Sequence, residues 1–338
     1  MFSGAILIGA TAISTGFISS WNTANTSSGS STSTQVKIPT ISTGTYDCTV
    51  HWGDGTISKI TTYNDPALTH TYGSSGTYTI TIYGQFNGIA FTNAGDRLKL
   101  LTISQWGSNF GIGNGSSGQH FHGCANLTIT ATDILNLNGT TALSNTFNGC
   151  SAITTIPSIN SWNFSAITTM NTCFGSCVLF NQSLNLNTSS VTDYTSCFTN
   201  CSVLNSTITL MTQSATTFSG MFATCSLLNS AINFSSTALV TTMTNMFHNC
   251  TAFKQDISGF SIAALTSAAT MFLGVTLSNA TYNKLLATWG AFVTPNHTVT
   301  FSGGSSHYDA TSGGYNGTAG RLLLTGTYGW VITDSGTP

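Results

Sequence analysis

The sequence predicts a mainly β chain with short helical turns, built as a small antiparallel β domain, a solenoid of about seven coils and an α/β C-terminal cap. Three observations predict it. Phenylalanines recur every 24 to 27 residues, at Phe121, Phe147, Phe174, Phe198, Phe222, Phe247 and Phe272, and a fixed period of that length marks stacked repeats. Upstream, strand-like runs alternate with turn residues from Gln35 to Ile103. Downstream of Val275 the period gives way to apolar residues at helical spacing.

Residues 1–34 read as an N-terminal arm and polar loop. The stretch "MFSGAILIGATAISTGF" is apolar but lacks Lys and Arg, and its continuous apolar run falls far short of the roughly 18 residues that span a bilayer. A conventional signal peptide is therefore not expected. The segment suits a strand of the β domain, or an arm that adds a strand to a neighbouring subunit. Residues 22–34, "NTANTSSGSSTST", form a low-complexity polar loop.

Residues 35–110 form the β domain. The runs "QVKIP", "TYDCTVHW", "ISKITTY", "THTYGSSGTYTITIYG" and "LKLLTISQW" are separated by turn chemistry, above all "GDGT". Gly53 and Gly55 permit left-handed backbone, so Asp54 between them is expected to bond turn amides.

Residues 111–277 form the solenoid. A cysteine follows six of the phenylalanines by three positions, at Cys124, Cys150, Cys177, Cys201, Cys225 and Cys250, and Val275 fills the slot after Phe272. A slot that takes valine wants a small buried hydrophobe, so free, buried thiols are expected there and at Cys48, with neither disulfides nor a metal site. Each coil reads as a short strand, a turn, a second extended piece and a tight helical turn at "MF..C". No coil can bury its apolar face alone, so it must stack on its neighbours. With parallel strands about 4.8 Å apart, seven coils span roughly 30 Å. Asn181, Asn205 and Asn229 hold equivalent places, with Lys254 next in line. Such a polar ladder reads first as a turn device and second as a recognition face.

Residues 278–338 form the cap. Ser278 is a candidate N-cap for a helix whose apolar face carries Tyr282, Leu285, Leu286, Trp289 and Phe292, laid over the last coil. A Gly-rich loop then leads into "RLLLTGTYGWVIT", read as a helical turn and a final strand.

Composition excludes several function classes. The chain carries 7 Lys plus Arg, 9 Asp and no Glu, so only 5% is charged against the quarter usual for a soluble domain. Such a surface has little field to hold nucleic acid. The seven His residues are scattered, no "GxSxG" occurs, and a glycosidase-type carboxylate pair would need dispersed aspartates, so neither catalysis nor a cofactor is expected.

Two resemblances sharpen this. "VHWGDGT" with "THTYGSSGTYTITI" resembles the signature of PKD-type β-sandwich domains, matched at Trp52, Gly53, Asp54, Gly55, His70, Tyr72, Gly76, Thr77 and Tyr78. It implies a structural domain with Trp52 and Tyr78 in the core and His70 near it. "SSVTDYTSCFTNCSVLNSTI" and "LVTTMTNMFHNCTAFKQDI" resemble the repeats of BspA-like leucine-rich repeat surface proteins, with Trp162 at an expected position, although the aspartates of that family's turn are Asn163 or absent. A leucine-rich-repeat-like solenoid follows from this resemblance. Pairings of the two modules resemble products of bacteriophage virion gene clusters. The implied role is a noncatalytic structural or host-surface recognition protein on a virion. Implied partners are other virion or surface-assembly proteins, further copies of the chain, and a host glycan or surface protein. A secreted or cell-surface adhesin and a purely architectural self-assembling subunit are the rivals.

Overall fold

The computed structural model describes residues 15–113, 115, 118–292 and 298–338; the first fourteen residues of the expected arm lie outside that set. Among the described residues nine strands form the N-terminal part: β1 (Phe17–Asn22), β2 (Gln35–Lys37), β3 (Thr40–His51), β4 (Ile57–Ile60), β5 (Thr69–Thr71), β6 (Thr77–Ile89), β7 (Leu100–Gln105), β8 (Phe110–Gly111) and β9 (Thr128–Ile129). The main sheet runs β4-β3-β6-β1-β7-β9, with β8 beside β6, and β2 pairs with β5 apart from it. The end of the expected arm is thus an inner strand. In β1, Phe17, Ser19 and Trp21 alternate inward while their neighbours are half-buried, the period-2 pattern of a strand with one buried face. Buried Ser19 is satisfied by the Trp21 Nε1–H, which donates to its Oγ at 2.8 Å.

The polar loop 22–34 is pinned down. Lys99 Nζ donates to the carbonyls of Ser31, Thr32 and Gln35 at 2.8–3.0 Å. Asp96 accepts from the Ser31 amide, the Ser31 hydroxyl and the Lys37 amide at 2.6–2.7 Å. The two side chains lie 3.5 Å apart and are wholly buried. Burial pulls the Lys99 ammonium below its ordinary pKa, and Asp96 opposes the shift. A buried charge pair is tolerated where further hydrogen bonds satisfy both members, and here they come from the loop.

From residue 111 onward successive repeats stack in parallel register. One ladder of parallel bridges runs Ala142, Thr169, Asp193, Thr217, Thr242, Ser267, and a second consists of β10 (Leu184–Leu186), β11 (Ile208–Leu210) and β12 (Ile232–Phe234). Inside, the seven phenylalanines form one column with ring centroids 5.3–5.8 Å apart and planes within 19°. Tilted contacts from Trp106 and Phe91 to Phe121 close one end of the column, and an edge-on contact from Phe301 to Phe272 closes the other.

The segment around each phenylalanine is not the expected helical turn. The residues two before it (Gln119, Asn145, Thr172, Ser196, Gly220, Asn245, Thr270) and two after it (Gly123, Gly149, Ser176, Asn200, Thr224, Asn249, Gly274) all have φ between 52° and 80°. A left-handed residue on either side of each phenylalanine, four positions apart, brackets a segment whose successive amides point in opposite directions. Asn145, Phe147 and Gly149 donate to the next repeat, whereas Thr146, Asn148 and Cys150 donate within their own. A helix would have spent every amide internally, so the alternation is what joins the repeats. It also explains the abundance of Asn and Gly, the residues that tolerate this backbone region best.

The cap continues the ladder. β13 (Ser267–Ala268) pairs in parallel with β14 (Thr300–Ser302), which pairs with β15 (Val331–Thr333). Helix α1 (Asn279–Gly290) starts at Ser278, whose Oγ accepts from the Thr281 amide, and buries Tyr282, Leu285, Leu286 and Trp289. Helix α2 (Gly317–Leu322) crosses it closely, because a Cβ on Gly290 would stand 2.6 Å from the Gly320 carbonyl oxygen. Trp289 packs on Phe301 and Trp330 and donates to the Phe260 carbonyl. The described residues are mainly β, with few short helices and no closed barrel. Among the described residues no helix is long and apolar enough to cross a membrane.

Candidate recognition surface

The outer faces of the stack consist of files of like residues. Thr168, Thr192, Thr216, Thr241 and Thr266 each donate twice to the carbonyl of the equivalent threonine one repeat earlier, through the amide at 2.8–2.9 Å and the hydroxyl at 2.8–3.1 Å. All five are exposed. Each hydroxyl proton is directed along the stack, so the file presents acceptor lone pairs and methyl groups rather than donors.

The asparagine file is likewise internal in its bonding. Asn181 Oδ1 accepts the Asn205 amide at 2.9 Å, Asn205 Oδ1 accepts the Asn229 amide at 2.8 Å, and Asn229 Oδ1 accepts the Lys254 amide at 2.8 Å. Ser206 and Gln255 add donors to the same oxygens. Asn181, Asn205 and Asn229 therefore act as side-chain links between repeats, the turn-device reading. Beside them Leu179 and Leu227 stand about half exposed.

The phenylalanines and cysteines of the expected core are buried. All nine cysteines are free. Burial pushes the thiols of Cys124, Cys150, Cys173, Cys177, Cys197 and Cys225 far above their ordinary pKa. They stay protonated, and a protonated thiol is neither nucleophile nor metal ligand. The protons are used: Cys150, Cys177, Cys201, Cys225 and Cys250 donate to the carbonyls of Phe121, Phe147, Phe174, Phe198 and Phe222, each one repeat earlier, at 2.9–3.1 Å. The small-hydrophobe reading missed this donor role, because Val275 holds the slot without one.

In the N-terminal part Trp52 is buried, His70 and Tyr78 are half-buried beside it, and Asp54 is exposed. Asp54 Oδ2 lies 2.7 Å from His70 Nε2, and Oδ1 accepts from the Thr56 hydroxyl at 2.6 Å. Partial burial would raise the Asp54 carboxyl, yet the hydrogen bonds from Thr56 and His70 outweigh it and hold the group at about 2. Tyr78 is half-buried, stacked on Tyr72, and Tyr72 is the core residue, its hydroxyl donating to the Trp52 carbonyl. Period-2 alternation in "TYGSSGTYT" does not tell which of two tyrosines faces inward.

Sequence reasoning also missed a cluster of neutral amides where the N-terminal sheet meets the first repeat: Gln85, Asn87, Asn109, Asn136 and Asn138 border one depression of about 400 Å³. They come from three separate segments, which only the register of β6, β8 and residue 136 brings together. The spaced triplets "QFN" and "NLN" were the available signal. Among the described residues no group of three or more His, Cys, Asp or Glu is placed to hold a metal ion.

Residues 141–210, and again 209–308, match the family described as Mycoplasma protein of unknown function, DUF285. That family lies in the BspA-like surface protein group. The DUF285 match begins just before Phe147 and reaches into the cap, so it covers the files of threonine, asparagine and cysteine but not the β1–β9 part. No curated protein and no solved structure matches the chain.

Proposed function

We propose that this chain is a noncatalytic surface protein that displays a leucine-rich-repeat-like solenoid on a PKD-like β-sandwich spacer, and that the surface is that of a bacteriophage virion. In this reading residues 35–110 dock to other virion proteins or to further copies, and residues 111–277 face a host glycan or surface protein. The observation that carries it is the construction of the outer files. Their Thr and Asn members are neutral, exposed save for half-buried Asn229, and repeated at one residue per coil, while their hydrogen bonds within the stack hold them rigid, so a partner meets an array that needs no ordering on binding. Low net charge favours a neutral partner over nucleic acid.

The DUF285 match favours a second reading, a microbial cell-surface adhesin, because the BspA-like group is one of surface proteins. Cryo-electron microscopy of the native particle separates the readings. A chain projecting from purified virions with the threonine and asparagine files open supports the first. Its absence from particles, together with surface labelling of intact cells, supports the second. A lattice that buries the files makes it an architectural subunit and ends the recognition reading.

A further inference from the structure

We propose that the amide-lined depression at the junction of the N-terminal sheet and the first repeat binds a neutral, hydroxyl-rich ligand, a carbohydrate unit. Three parallel segments make it. Phe86 pairs with Phe110, Asn87 with Gly111, and Gly111 with Asn136. In the two outer segments a buried apolar residue, Phe86 or Leu137, is flanked by amide residues that are exposed or half-buried, and in the middle segment buried Phe110 lies between exposed Asn109 and buried Gly111. The row across the three strands therefore reads amide, glycine, amide.

Gly111 is what makes the row concave. Its backbone is not in the left-handed region, so no turn requires glycine there. A Cβ would instead stand 2.5 Å from Asn87 Oδ1 and would displace that carboxamide. Glycine in a strand marks a close approach of another group, and here the group is the amide that borders the cavity. Two rim residues are braced: Gln85 Nε2 donates to the Thr45 hydroxyl at 3.2 Å, and Asn136 Oδ1 accepts the Asn138 amide at 2.9 Å.

The chemistry of the lining selects the ligand. Besides Gly111, every lining residue is Asn, Gln or Ser, and none is charged. A carboxamide offers donors and an acceptor side by side, which is the pattern of vicinal sugar hydroxyls. An ion finds no counter-charge there and an aliphatic ligand no apolar wall. The volume of about 400 Å³ falls within the ordinary span of ligand pockets, ~300–1,000 Å³. The larger cleft of about 550 Å³ by Tyr63 and Phe91 is less suited, because its carboxylates, Asp65 and Asp96, are already engaged by backbone amides.

The biological meaning of this site rests on the recognition reading, but its test does not. Isotope-labelled full-length protein is titrated with glucose, galactose, mannose and N-acetylglucosamine while its amide spectrum is followed. The expected result is saturable shifts confined to residues 85–87, 108–111 and 136–138 with at least one sugar. Q85A and N138A, which truncate exposed rim amides, should each weaken binding about fivefold, as loss of one hydrogen bond does. G111A should weaken it more. Because G111A perturbs Asn87, the two rim variants carry the decision. No saturable shift with any of the four sugars, or shifts unchanged in Q85A and N138A, overturns the proposal. A particle or cell that fails to attach would refute the recognition reading and leave the free-sugar result standing.

Discussion

Cys201 Sγ lies 3.1 Å from the carbonyl oxygen of Phe174, one repeat earlier, and the same oxygen accepts the Cys177 amide of its own repeat at 3.1 Å. The cysteine thus gives a buried carbonyl its second donor and bridges two repeats while filling the volume of a small hydrophobe. Replacing it by alanine removes the donor and leaves a void. Cys201→Ala should lower unfolding free energy by about 1–3 kcal/mol, and Cys201→Val, which copies Val275, by less. Urea denaturation midpoints of the two variants check this. Equal losses would mean that the hydrogen bond, and not the volume, dominates.

The left-handed positions that flank each phenylalanine make predictions of opposite sign at two sites. Thr224 has φ 62°, a costly place for a β-branched residue, whereas Gly220 has φ 61° and a Cβ there would stand 3.2 Å from the Ser196 Oγ. Thr224→Asn should raise stability by about 0.5–1 kcal/mol, and Gly220→Val should lower it by about 1–2 kcal/mol. Thermal melts of both variants decide the matter, and a destabilised Thr224→Asn would show that the Thr224 hydroxyl bond to the Ala223 carbonyl outweighs the backbone strain.

His120 is buried beside Phe121, with Nδ1 2.9 Å from the Thr146 hydroxyl, and burial lowers its pKa to about 4. The unfolded chain, at about 6.5, therefore binds a proton that the folded state refuses between those values. Its contribution is present in full above pH 6.5 and is lost as pH falls from there to about 4, by at most roughly 3 kcal/mol. His120→Gln should flatten the stability profile across that window. An unchanged slope in equilibrium unfolding from pH 4 to 7 would assign the proton uptake elsewhere.

If the asparagine file is a link between repeats, its acceptor oxygen matters and its amino group does not. Asn205→Ala should then cost about 1 kcal/mol, while Asn205→Asp, which keeps an acceptor for the Asn229 amide, should retain most of the stability at neutral pH. Thermal denaturation of the pair reads this directly, and equal destabilisation by both variants would point to the amino group instead.

Periodicity determined the repeat length, the column of Phe121 through Phe272 and the buried cysteine slots, and capping chemistry the Ser278 helix start, because each is a local choice repeated or capped in register. The sequence equally determined the neutral surface, since composition fixes charge whatever the fold. Tertiary structure decided the rest. It placed Phe17–Asn22 inside the sheet and tied the polar loop, through Ser31, to Asp96 and Lys99, 65 and 68 residues further along the chain. It turned the expected helical turns into segments bracketed by left-handed residues, because only the neighbouring repeat supplies acceptors for the outward amides. It also gathered Asn87, Gly111 and Asn136 into one row, a relationship that exists in the register between strands and in no stretch of sequence.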